Sequence, residues 1–184
     1  RSMLDGAGWT AGSDGIRSKD GLRLSFTCTT ISGDQTRRPM AELSQIFLRD
    51  VGVEMQLAEA PVASILEGLR AGNMEASLFN WTMGDLTDPS PTSTLRSNGG
   101  DNFFRYANPE MDRLIDEGLS IADPEARKPI YARTQQIFAE DVPALSLHFP
   151  QVVNPVSALM QGLPNVDDIL LSSGVFYNGH LYSL

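Results

Sequence analysis

The stretch Trp81-Thr82-Met83-Gly84-Asp85-Leu86-Thr87-Asp88-Pro89 holds the densest set of residues that could do chemistry. An indole supplies a flat apolar wall, and a carboxylate a few residues on supplies a fixed negative charge. Together they suit a ligand's cationic group, held by a charge-assisted hydrogen bond and aromatic contact. Trp81, Thr82, Met83, Gly84, Asp85 and Asp88 are therefore the candidate ligand-binding residues. The same residues admit a structural reading, with Trp81 as core, Asp85 capping a turn and Asp88-Pro89 bending a loop. Asp85 and Asp88 also raise an acid–base pair of the kind glycosidases use, which turnover of chromogenic glycosides lost in Asp85→Asn would reveal.

Other motifs carry less. Gly6-Ala7-Gly8-Trp9-Thr10-Ala11 fits the dinucleotide pattern G-x-G-x-x-A, but no strand precedes it, and Gly12 and Gly15 interrupt the helix that should follow. Ser13-Asp14-Gly15-Ile16-Arg17 has a calcium-loop flavour without the alternating acids such a loop requires. His148 and His180 are the only histidines and sit in no metal-ligand spacing, and the single cysteine, Cys28, has no companion for a disulfide or a zinc site. No nucleophile elbow and no phosphate-binding glycine loop occurs, so no catalytic residue, metal or cofactor is expected.

The 184 residues suffice for one good-sized core or two small ones, and 41% apolar content is that of a globular chain. With 14 Lys+Arg against 23 Asp+Glu the formal charge is −9, which repels polyphosphate and excludes nucleic acid as an expected partner. The uncharged run Val142 to Val166 is broken by Pro143, Pro150, Pro155 and Pro164, so it does not read as a membrane helix. The start, Arg1-Ser2-Met3-Leu4, has no signal-peptide core and no initiator Met, which gives the expectation of a piece cut from a longer protein.

The elements that would position the Trp81–Asp88 segment follow from periodicity. Residues 22–30 alternate, with Leu22, Leu24, Phe26 and Cys28 on one side, as a half-buried strand does. Residues 36–51 place Met40, Leu43, Phe47 and Val51 on one helical face, stopped by Gly52. Val53, Met55 and Leu57 form a second strand. Val62, Ile65, Leu66 and Leu69 form a helix between Pro61 and Gly72, and 75–81 a third strand. Strand, helix, strand, helix, strand with short links predicts α/β architecture, a mainly parallel sheet flanked by helices, with Trp81 at its exit edge, where open sheets place ligands. The polar stretch from Trp81 to Arg105 is too long for a routine connection. Asn108-Pro109-Glu110 and Asp123-Pro124-Glu125 each open a helix. Met111, Leu114, Ile115 and Leu119 line the first, and Ile130, Thr134, Ile137 and Phe138 the second. Leu145, Leu147 and Phe149 read as a final strand.

The chain resembles the extracytoplasmic solute-binding proteins of peptide and nickel type that serve ABC importers. The resemblance is carried by Met3-Leu4-Asp5-Gly6-Ala7-Gly8-Trp9, by Asp14-Gly15-Ile16-Arg17 with Asp20-Gly21, and by Met40-Ala41-Glu42-Leu43 ahead of Val51-Gly52-Val53. It continues through Trp81, Asp85, Asp88-Pro89, Asn102 with Tyr106-Ala107-Asn108-Pro109, Leu114-Ile115-Asp116 and Asp141-Val142-Pro143-Ala144-Leu145. It covers roughly residues 1–150 and implies a periplasmic-binding-protein-like fold, of which this stretch is the carboxy-terminal ligand-binding lobe. Residues 151–184 would form a tail crossing back to the amino-terminal lobe, which lies outside this sequence.

In peptide-binding members an aspartate three residues before an Asp-Pro or Glu-Pro pair holds the peptide's amino terminus, and Asp85 stands three before Asp88-Pro89. Counted from the tryptophan, Asp85 comes one residue later than usual, with Gly84 in the customary place. In dipeptide binders an arginine after the first strand answers the ligand carboxylate. Here Thr29 to Thr36 holds no base, and Arg37 and Arg38 fall on the following helix, which disfavours a dipeptide specialist. The resemblance implies a non-enzymatic, extracytoplasmic protein, lipid-anchored or free. Its partners would be a peptide or other small solute, the permease of an ABC importer and the amino-terminal lobe; a sensor lobe of a regulatory protein is the alternative.

Overall fold

The computed structural model describes residues 1–79 and 90–147, arranged in two compact units, the first ending at Trp81 and the second beginning at Thr82. The first unit opens with α1 (Ser2–Gly6) and a small antiparallel meander of β1 (Thr10–Ala11), β2 (Arg17–Lys19) and β3 (Leu22–Arg23). There follow β4 (Ser25–Ile31), α2 (Arg37–Asp50), β5 (Glu54–Ala60), α3 (Val62–Ala71) and β6 (Ala76–Ser77).

The three later strands form one sheet in the order β5-β4-β6, and both pairings are parallel. Ser25 to Ile31 pair in register with Glu54 to Ala60, while Cys28 and Thr29 face Ala76 and Ser77. This is the α/β arrangement expected from the alternation of periods, with α2 and α3 as the crossovers. The expected single strand over 22–30 is instead two, split at Leu24. Its N–H donates to Arg17 O at 2.8 Å and its carbonyl accepts from Glu54 N at 2.9 Å, so the chain changes sheets there. Leu22 is consequently on the meander and exposed, whereas Cys28 and Thr30 carry the buried face of β4.

The core face of α2 is also not the expected one. Ala41 is buried and Leu48 half-buried against Cys28 and Met55, while Leu43, Ile46 and Phe47 face solvent. The small Ala41 is the helix residue buried against the sheet, and Gln45 adds a hydrogen bond from Nε2 to Met55 O at 2.6 Å. Counting large apolar residues thus picked the opposite side of the helix. Gly52 does stop α2 as expected, with φ of 88°. α3 runs between Pro61 and a left-handed Gly72, with Ile65 fully buried.

The second unit contains α4 (Thr92–Leu95), α5 (Pro109–Ser120) and α6 (Pro124–Asp141) around a core of Leu95, Met111, Leu114, Ile115, Ile130 and Ile137. Both predicted helix starts are present. Asn108 Oδ1 accepts from Glu110 N and Met111 N at 2.9 and 3.2 Å, and Asp123 Oδ1 from Glu125 N at 3.1 Å. On α5 the buried line runs through Gly118 rather than Leu119, because Tyr131 of α6 packs so close that a Cβ on Gly118 would sit 3.1 Å from its ring. The final strand expected over 145–149 is not seen in its described part. Leu145 and Leu147 are unpaired and exposed, and Phe149, like His148 and the expected tail at 151–184, lies outside the described residues.

Candidate ligand-binding edge

All three parallel strands end on one side of the sheet, β4 at Ile31, β5 at Ala60 and β6 at Ser77, and Leu78-Phe79 lead on from β6. The edge is tightly tied. Ser32 N donates to Ala60 O at 3.0 Å, Leu78 N to Thr29 O at 3.3 Å and Ser77 Oγ to the same oxygen at 2.9 Å. Thr30 is buried beneath it. Trp81, Thr82, Met83, Gly84, Asp85 and Asp88 lie outside the described residues.

The described part of the edge is dominated by two arginines whose charges are answered within the unit. Arg37 pairs with Asp34, and Arg38 pairs with Glu42 at 3.0 Å and Glu59 at 2.7 Å. Asp34 also accepts from the backbone N–H groups of Arg37 and Thr36 at 2.7 and 2.9 Å. These contacts, the Arg37 amide first, hold its carboxyl below the usual carboxylate range. Asp34 therefore caps α2 from two residues before the formal N-cap, Thr36, whose own side chain makes no capping bond. The sequence reading treated Thr29 to Thr36 as plain loop. The signal for this cap was an aspartate two and three residues ahead of the first orphan amides of a predicted helix. The placement of Arg37 and Arg38 on the helix is as expected, and with both engaged by carboxylates this side of the edge presents no arginine without an ion-pair partner.

Other motif residues turn out to be fasteners. Arg17, buried, donates from Nε to Val51 O at 2.8 Å, and from Nη1 to Asp5 Oδ1 at 2.5 Å and Trp9 O at 2.6 Å. It locks α1 and the meander to the turn after α2, so the Gly6–Ala11 pattern is a helix end and turn. Asp14 Oδ1 accepts from Ile16 N at 3.1 Å and Asp14 pairs with Arg23, which uses the would-be calcium-loop acid structurally. In the second unit Asn102 folds the stretch before α5. Its Nδ2 donates to Tyr106 O at 2.7 Å and to Arg96 O at 3.0 Å, and its Oδ1 accepts from Tyr106 N at 3.0 Å. Asp141 accepts from Tyr106 OH at 2.5 Å and Asn108 Nδ2 at 2.8 Å. Among the described residues no cluster of three or more His, Cys, Asp or Glu could hold a metal ion, and no helix is long and apolar enough to cross a membrane.

Residues 1–103 match the family described as bacterial extracellular solute-binding proteins, family 5 Middle. The chain belongs to this family. Protein XP55 of Streptomyces lividans is 33% identical over 145 residues, covering 76% of this chain and 26% of that protein. Oligopeptide-binding protein AppA of Bacillus subtilis is 30% identical over 156 residues, covering 82% of this chain and 28% of AppA. The structure of AppA in complex with a nonapeptide superposes with a TM-score of 0.71 at 29% identity, over 77% of this chain and 29% of AppA. NikA from Brucella suis in complex with Fe(III)-EDTA gives 0.66 at 32% identity, over 76% of this chain and 29% of NikA. The chain thus spans 26% and 28% of the length of the two curated relatives. The expected α/β fold of a solute-binding protein is the fold of these neighbours.

Proposed function

We propose that this chain is the carboxy-terminal ligand-binding lobe of a solute-binding protein that delivers a peptide or a related cationic small solute to the permease of an ABC importer, without catalysing a reaction. The observation that carries the reading is the parallel β5-β4-β6 sheet, whose strands end together at the edge where the sequence continues into Trp81 to Asp88. Open parallel sheets receive ligands at that edge. Asp85 would pair with the cationic group, Trp81 would form an apolar wall beside it, and Thr82, Met83, Gly84 and Asp88 would shape the surrounding loop. Closure of a second lobe over the ligand would exclude water and strengthen the charge contact by lowering the local dielectric. Residues 1–150 would form the lobe and 151–184 the segment returning to its partner lobe.

Two features bear on the solute. The engaged state of Arg37 and Arg38 favours a ligand whose carboxylate, if it has one, is held elsewhere, and so a longer peptide over a dipeptide. One relative is named for oligopeptide binding and the NikA structure is a complex with Fe(III)-EDTA, which leaves both chemistries in the class. Native mass spectrometry of the complete two-lobed protein, purified without denaturation, tests the reading. A co-purifying cationic or peptidic small molecule released on unfolding is the expected result. Repeated preparations that carry none would reduce Asp85 to a turn residue.

A further inference from the structure

Thr30 is the one buried threonine among the described residues whose hydroxyl has no hydrogen-bond partner. It is 2% exposed, whereas the other two, Thr94 and Thr134, donate to Pro91 O at 3.3 Å and Tyr131 O at 2.8 Å. A buried hydroxyl left unbonded costs stability, so its retention calls for a reason. The sheet register supplies one. Thr30 stands one residue before the end of β4 and pairs with Glu59, one residue before the end of β5. Paired residues of parallel strands carry their side chains on one face, and the strands lie about 5 Å apart. That face is the α2 side: Cys28, two residues before Thr30, packs with Ala41, and Glu59 Oε1 accepts from Arg38 Nη1 at 2.7 Å. The Glu59 side chain is 34% exposed, and its Oε2 accepts no hydrogen bond within the described residues. Arg38 is shared, since its Nε donates to Glu42 Oε1 at 3.0 Å. One guanidinium thus answers two carboxylates, and an excess negative charge remains beside the strand ends.

We infer that Glu59 and Thr30 form a second cation subsite at this edge, which takes the alkylammonium of a basic side chain on the bound solute; this rests on the proposed function, in which the edge receives a peptide or related cationic solute. An ammonium has three N–H donors and no acceptor, and the two side chains offer it acceptors only a strand spacing apart. Glu59 Oε2 accepts one N–H as a charge-assisted bond, and Thr30 Oγ1, beneath it, accepts another. Arg38 stays on Glu59 Oε1 and on Glu42. Glu42 has a part in this: by answering Arg38, it keeps the guanidinium from cancelling the Glu59 charge that the ammonium meets. Thr30 then distinguishes an ammonium from an apolar side chain twice over, because a solute without a donor leaves the hydroxyl unbonded as well as the carboxylate unanswered.

Calorimetric titration of the complete two-lobed protein tests this with two oligopeptides of equal length and free amino terminus, one lysine-rich and the other carrying norleucine at each lysine. Both offer Asp85 the same terminal ammonium, so only the side-chain charge differs. The parent should prefer the lysine peptide by about tenfold. Glu59→Gln should reduce that preference to less than about twofold while leaving the norleucine affinity nearly unchanged, and Glu42→Gln should reduce it partway. Thr30→Val, an isosteric change that removes the unbonded hydroxyl, should lower the preference by about threefold while the melting temperature stays equal or rises. Asp85→Asn should weaken both peptides alike and keep their ratio. A parent that binds both peptides equally, or a preference that survives intact in Glu59→Gln or in Thr30→Val, overturns the subsite and leaves the edge itself as the binding place. A parent that binds neither peptide overturns the subsite together with the reading beneath it.

Discussion

At the turn after α2, Gly52 and Arg17 occupy one small volume. Gly52 has φ of 88°, and a Cβ there would stand 2.7 Å from Arg17 Cγ and 3.0 Å from Gly15 O. Left-handed backbone and steric conflict both demand glycine, so the chain can leave α2 and enter β5 within three residues only with this residue present. Gly52→Ala should lower the stability of the first unit by about 1–3 kcal/mol in urea titration. Because part of that cost is the clash with Arg17, the same change in an Arg17→Ala background should cost measurably less, a coupling that a double-mutant cycle reads directly. Additive losses would mean that the strain is purely backbone. The glycine was legible as a helix stop from its place after an amphipathic run; the arginine packed against it was not, because its partners Asp5, Trp9 and Val51 are scattered across 47 positions from Asp5 to Val51.

The elements show where pattern reading succeeds. Asn108-Pro109 and Asp123-Pro124 were decisive because a cap and the amides it serves are local, and the two helices begin where those pairs stand. The order β4, α2, β5, α3, β6 was legible from the alternation of periods, whereas α1, the short antiparallel meander and α4, with only two to five residues each, carry too little periodicity to read. What failed depends on contacts distant in sequence: the core face of α2, where Ala41 and Leu48 meet Cys28 and Met55, and the seat of Gly118, set by Tyr131. The candidate site was read as a segment, Trp81 to Asp88, that lies outside the described residues, since the residues that would face a ligand across it are distant in sequence or belong to another lobe. The fastening of the end of α6 to the approach to α5 can be tested by pH. Burial first, then the hydrogen bond to Asp141, pushes the Tyr106 phenol up to about 12. The Tyr106 hydroxyl first, then Asn108, holds the Asp141 carboxyl below its ordinary range. Asp141 therefore contributes stability above about pH 4, lost as pH falls through its folded value. Tyr106 contributes stability that is full below about pH 10 and lost as pH rises through about 12. Tyr106→Phe should flatten the alkaline limb of a melting-temperature profile between those two values and leave a shallower acid limb. Unchanged limbs on both sides would show that this bond does not contribute.

Over the whole molecule, the described residues divide into a sheet unit and a helical unit, each with its own apolar cluster. Trp81 to Asp88 follow β6 in sequence and lie outside the described residues. The proposed cation site rests on a parallel sheet whose strand ends share one edge, followed in sequence by an indole and a carboxylate. Family membership agrees with a binding role. The central claim is that the Asp85 carboxylate holds the cationic solute. Calorimetric titration of the complete two-lobed protein with a lysine-rich oligopeptide, comparing the parent with Asp85→Asn at matched thermal stability, addresses it most directly. The account predicts saturable binding by the parent and an affinity at least tenfold weaker in the variant, with the difference shrinking as salt is raised. Equal affinities for the two proteins would contradict it.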